Sequence, residues 1–126
     1  MRRVVLIALA AVLLGWSPTV WAKCLDGQVL KKIGNVQTAS AVLSTQGHDV
    51  HAISVDCSGT ACNIGLFNAD QLDGLTADVV IEVGGAASAS LFLDLTDSPL
   101  YFSEGVTLVD DSGNIDAAAA YSCQPR

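Results

Sequence analysis

A chain of 126 residues with 6 basic and 13 acidic side chains carries a formal net charge of −7. Such a surface repels phosphate backbones, which excludes nucleic acid as a partner, and at this length one hydrophobic core rather than two is expected. Apolar residues make up 51% of the chain and aromatic ones only 6%, so burial falls to aliphatic side chains and an aromatic carbohydrate platform is disfavoured.

The chain opens with Arg2 and Arg3, continues with an apolar run over Val4–Trp16, and reaches Val20 and Ala22, small residues at −3 and −1 of a cleavage position. This is the pattern of a secretory signal peptide, residues 1–22, removed after Ala22. The run is shorter than the roughly 20 residues a bilayer requires, and Ser17-Pro18 interrupts its end. No membrane contact is expected after cleavage. Lys23 stands where a lipoprotein has a small residue before the modified cysteine, so Cys24 reads as an unlipidated residue. The mature chain, residues 23–126, sets 13 acids against Lys23, Lys31, Lys32 and Arg126, a net charge of −9. It is expected to be secreted or periplasmic.

From there the chain reads as short strands divided by turn signals. The expected strands are Val29–Ile33, Val36–Ser44, Val50–Val55, Cys62–Phe67, Ala77–Val83, Ala87–Leu95, Leu100–Phe102, Val106–Val109 and Ala117–Cys123. In "SASLFLDLT", Leu91, Leu93 and Leu95 share the face that should enter the core, as do Val79, Ile81 and Val83 in "ADVVIEV". Ala117–Ala120 has poor β preference and could form a helical turn instead. Strand is preferred because so short a helix is marginal and Cys123 must reach Cys24. Tyr101 and Phe102 alternate, so one should be buried and the other left to a partner. The expected fold is all-β: a single small antiparallel β-sandwich, jelly-roll or Ig-like, of about eight strands.

Export places four cysteines in an oxidising space, where they read as two disulfides. A nested pairing is expected, Cys57 with Cys62 across "CSGTAC" and Cys24 with Cys123 at the ends of the mature chain. In the chain-entropy model the short loop contributes about 2 kcal/mol and the long one about 4–5 kcal/mol. Zinc at these cysteines with His48 and His51 would need a ligand spacing that is not present, and a redox role would need Cys-x-x-Cys at a helix start.

His48, Asp49 and His51 in "GHDVH" are the remaining titratable cluster. On a strand, Asp49 and His51 share one face and His48 takes the other. No serine in a nucleophile-elbow context accompanies them, and a solvated loop histidine pair is preferred to a site. Asp110, Asp111, Asn114 and Asp116 in "DDSGNID" crowd oxygen donors as a calcium loop does, but Gly113 precedes Asn114 and no glutamate closes the loop. A hairpin turn between Val109 and Ile115 is the preferred reading. No catalytic residue, cofactor or metal is expected; a small-molecule ligand is left open.

The segment "SPLYFSEGVTLVDDSGNIDAAAAYS" resembles the end of small β-sandwich virion components of tailed phages: a proline, an aromatic at Phe102, Gly105 before an apolar strand, a Gly-containing hairpin and a last strand ending in Tyr121. "VHAISV" and "CNIGLFNAD" are similar to two preceding strands of such proteins. The resemblance implies a non-enzymatic assembly subunit, whereas the export signal and bridging cysteines depart from that family. The expected function is therefore an exported structural or interaction module, self-assembling or binding another protein. The alternative, raised by the charge of −9, is an acidic inhibitor or binding protein for a basic extracellular enzyme.

Overall fold

Aliphatic and β-branched residues fill the strands, and Gly, Asn, Asp and Ser occupy the turns between them. The computed structural model describes residues 24–75 and 79–126, and the signal-peptide reading of residues 1–22 lies outside them. The ten strands are β1 (Gln28–Lys32), β2 (Ala41–Ser44), β3 (His48–Val50), β4 (Ala52–Cys57), β5 (Cys62–Asn68), β6 (Val79–Gly85), β7 (Ser90–Asp94), β8 (Leu100–Phe102), β9 (Val106–Asp110) and β10 (Ile115–Pro125). No helix occurs among the described residues.

The strands form two four-stranded sheets, ordered β1-β10-β4-β7 and β2-β9-β5-β6, with β3-β8 as a separate ribbon. Every pairing is antiparallel. β5 pairs with β6, β4 with β7, β3 with β8, β2 with β9 and β1 with β10. The chain is thus one long hairpin, turning between β5 and β6, whose two arms stay paired to their ends. Rolling that hairpin brings β10 against β4 and β9 against β5, which closes the two sheets. This strand order is a jelly roll; an Ig-like sandwich groups its strands differently.

Several element boundaries differ from those the sequence implies, three of them where the chain changes sheets. Val50–Val55 divides at His51 into β3 and β4, because the chain passes there from the ribbon into the first sheet. Only Ala41–Ser44 of the Val36–Ser44 segment is a strand; the residues before it cross between sheets, with Gln37 making one isolated bridge to Ala118. β7 begins at Ser90 rather than Ala87, and residues 77 and 78 of the expected fifth strand lie outside the described residues. Among the described residues the strands number ten against nine expected segments, because the Val50–Val55 segment is divided between β3 and β4.

The core lies between the two sheets. Ile53, Val55 and Leu93 enter it from the first sheet, Ile64, Leu66, Ile81, Val83 and Leu108 from the second, and Val50 and Phe102 from the ribbon. Each of these is a β-branched, leucine or phenylalanine side chain removed from water, worth roughly 1.5–3 kcal/mol when fully buried.

The alanine run forms strand throughout. β10 is flanked by β1 and β4. Ala118 and Ala120 face the core, whereas Ala119 lies outside the core cluster and is nonetheless buried. It shares a cross-strand row with Ser54 and Phe92. The ring of Phe92 stands 6.1 Å from that of Tyr121, whose hydroxyl lies 3.2 Å from Ser54 Oγ. The outer face of the first sheet is therefore roofed by an aromatic pair, and small residues on β10 leave room for it.

Both bridges form as nested pairs, Cys24–Cys123 with a Cα separation of 5.5 Å and Cys57–Cys62 with 5.2 Å. Their placement follows from the rolled hairpin. Cys24 precedes β1 and Cys123 lies on β10, so the long bridge fastens the open ends of the two arms. Cys57 ends β4 in one sheet and Cys62 begins β5 in the other, so the short bridge ties the two sheets together at a corner. Lys31 and Lys32 are exposed on the edge strand β1, where charge opposes edge-to-edge pairing.

Candidate functional site

An open cleft of about 360 Å³ lies beside the Cys24–Cys123 bridge. That volume falls in the range of roughly 300–1,000 Å³ typical of ligand clefts. Three parts of the chain build it. The half-buried disulfide forms one wall, with Leu25 and Gln28 beside it. Leu25 accepts a backbone hydrogen bond at 3.0 Å from Gln28 N–H, which turns the chain into β1 and leaves the Leu25 side chain 78% exposed at the rim. Asp49 on β3, His51 after it and Thr96 after β7 complete the lining.

His51 is held where the ribbon meets the first sheet. Its N–H donates to the Tyr121 carbonyl and its carbonyl accepts from Leu95 N–H, each at 2.8 Å. Its Nδ1 accepts the Cys123 backbone N–H at 3.1 Å. An imidazole nitrogen that accepts is unprotonated, so the ring proton belongs to Nε2. His51 thus joins the cleft to the disulfide strand, half-buried and tied through Nδ1. Thr96 is fixed by Asp94, whose Oδ1 accepts from the Thr96 hydroxyl at 2.7 Å and from its backbone N–H at 2.9 Å.

Asp49 is exposed and, among the described residues, has no hydrogen-bond or ion-pair partner. Directly across the ribbon stands Tyr101, paired with it in register and 67% exposed. Phe102, the next residue, is fully buried, so the alternation in "LYF" divides as the sequence implies. Asp49 and His51 share the cleft and His48, paired with Phe102, does not line it.

At the other end of β4, a six-residue strand and so roughly 20 Å away, three loops gather around Cys57–Cys62. Ser58 N–H donates to the Asn114 carbonyl, Ser88 N–H to the Ser58 carbonyl, and Asn114 Nδ2 to the Ala61 carbonyl. Asp110 Oδ1 accepts from Ser112 Oγ and from Gly113 N–H, both at 2.9 Å. The carboxylate suggestive of calcium therefore shapes the β9–β10 turn from within. Cys57 and Cys62 are 4% exposed and bonded to each other, so neither is a thiolate that could hold zinc together with His48 or His51.

Sequence reading pairs the four cysteines and places Asp49 with His51. Leu25, Gln28 and Thr96 carry no such signal, since they meet only when β1, β3 and the end of β7 converge. The result is an open cleft with one exposed carboxylate on a disulfide-bonded jelly roll. Comparison with protein-family models, with curated proteins and with solved structures gives no match. The two disulfides point to an oxidising compartment outside the cytoplasm. Among the described residues no helix is long and apolar enough to cross a membrane.

Proposed function

We propose that this chain is an exported, non-enzymatic interaction module that engages another protein through the cleft end of the jelly roll. The observation that carries this reading is the placement of Leu25 and Tyr101, the two most exposed large apolar residues described, on the rim and flank of the same open cleft. Apolar side chains around a polar depression are the composition of a binding patch rather than of an ordinary solvated face. The net charge of −9 expected after cleavage favours a basic partner and disfavours close packing of identical copies through self-repulsion. Self-assembly, the role implied by the virion-component resemblance, is the competing outcome of the same test.

The test is a photo-crosslinking amino acid at Leu25 or at Tyr101, with Gly59 at the opposite end as control, in cells exporting the protein. The expected result is a discrete adduct from the first two positions and none from the third. An adduct of twice the chain mass would assign self-assembly. Equal crosslinking from all three positions would overturn the reading.

A further inference from the structure

The cleft identifies the chemistry of what enters it. Asp49 offers a carboxylate with no partner among the described residues, and no lysine or arginine among those residues lines the cavity. An exposed carboxylate in a depression attracts positive charge and repels anions. Tyr101 stands across the β3–β8 ribbon from that carboxylate, with most of its surface free. A carboxylate and an aromatic ring side by side suit a guanidinium, whose planar fork bonds the first while its face stacks on the second. Gln28 and Thr96 add neutral polar groups to the lining. Leu25 adds an apolar rim, against which the methylene stem of a long cationic side chain can pack.

We infer that the cleft beside the Cys24–Cys123 bridge is a receptor site for an arginine side chain presented by a basic protein partner, with Asp49 as its counter-ion and Tyr101 as its stacking face. This rests on the interaction-module reading and makes it specific. Lysine is the poorer occupant, because a compact ammonium cannot match both the fork and the ring. His51 is a positioning residue: its Nδ1 bond to Cys123 N–H fixes the wall of the cleft relative to the strand carrying the disulfide.

The experiment is titration of the isotopically labelled, oxidised mature chain with N-acetyl-arginine amide, followed by amide chemical shifts. N-acetyl-citrulline amide serves as the uncharged near-isostere and N-acetyl-lysine amide as the point-charge control. Shifts should concentrate at Gln28, Asp49, His51, Thr96 and Tyr101, and should weaken with salt. Citrulline should bind about tenfold more weakly or worse, and Asp49→Asn should reduce arginine binding by about the same factor. Tyr101→Ala should reduce it by about 2- to 5-fold. Asp49 and Tyr101 are both exposed, so both variants should fold, and wild-type circular dichroism verifies it. Equal binding of citrulline, undiminished binding to Asp49→Asn, or shifts absent or spread away from the cleft would each overturn the assignment. Crosslinking from Leu25 and Tyr101 that persists when the arginine probe is silent would refute the arginine assignment and leave the interaction module standing. An arginine response without any crosslinked partner would do the reverse.

Discussion

Gly105, between β8 and β9, gives the strictest test of how the rolled hairpin is packed. Its φ is +154° and it is buried. A Cβ there would come within 2.7 Å of both the Ala69 and Ser44 carbonyl oxygens. These belong to backbone at the ends of β2 and β5, the strands that flank β9 in the second sheet, so neither can move as a flexible side chain would. The Ala69 carbonyl also accepts the buried Thr107 hydroxyl at 2.8 Å, and displacing it would weaken that bond. Backbone strain contributes about 1–3 kcal/mol and forced repacking about 1–3 kcal/mol, so Gly105→Ala should cost roughly 2–6 kcal/mol.

That is a large fraction of the roughly 5–15 kcal/mol typical of a domain, and should lower Tm by roughly 8 °C or more. Two other glycines calibrate the result. Gly113 has φ +72° with nothing within 4 Å of an added Cβ, so its alanine variant should lose only the strain, about 1–2 kcal/mol. Gly59 has open space and no positive φ, and Gly59→Ala should be neutral or stabilising by about 0.4–1 kcal/mol. Urea unfolding followed by circular dichroism measures all three. A Gly105→Ala loss no greater than that of Gly113→Ala would refute the close approach of the two carbonyls.

Three further outcomes are expected. At the buried Cys57–Cys62 corner a serine pair should be less stable than an alanine pair by about 1–3 kcal/mol per unpaired hydroxyl, whereas at the half-buried Cys24–Cys123 bridge the two replacements should agree within about 0.5 kcal/mol; the same serine–alanine difference at both bridges in denaturant titrations would contradict the burial argument. A small thiol should open Cys24–Cys123, which lines an open cleft, before Cys57–Cys62, which is 4% exposed; alkylation mapping during partial reduction checks the order, and simultaneous opening would contradict it. Mass spectrometry of exported material should find Lys23 at the N-terminus, and retention of residues 1–22 would show the cleavage reading to be wrong.

Much of the architecture is already written in local patterns. The alternation of Leu91, Leu93 and Leu95 against Phe92 and Asp94 assigns β7 its inner face without reference to any neighbour, because side chains on a strand have period two. The cysteine pairing was legible for a similar reason: an even set in an exported chain has few connectivities, and the nested one suits paired ends. The burial of Phe102 beside the exposure of Tyr101 also follows from alternation, although which of the two would be buried does not.

What local pattern cannot carry is where the chain leaves one sheet for another. His51 is surrounded by strand-forming residues, and only the passage from the β3–β8 ribbon into the first sheet breaks the strand there. The short bridge reads as a local loop closure in "CSGTAC" and becomes an inter-sheet tie only because β4 and β5 belong to different sheets. Ala119 is buried on an outer face because Phe92, 27 positions earlier, shares its cross-strand row. The cleft depends on distance in sequence even more. Leu25, Asp49 and Thr96 come from three separate segments, and nothing about each one's own neighbours signals the others. Local residues determine strand and turn through backbone preference and side-chain period, while the long-range pairing of the two hairpin arms, fixed by whole-core burial and by Cys24–Cys123, decides which surfaces meet.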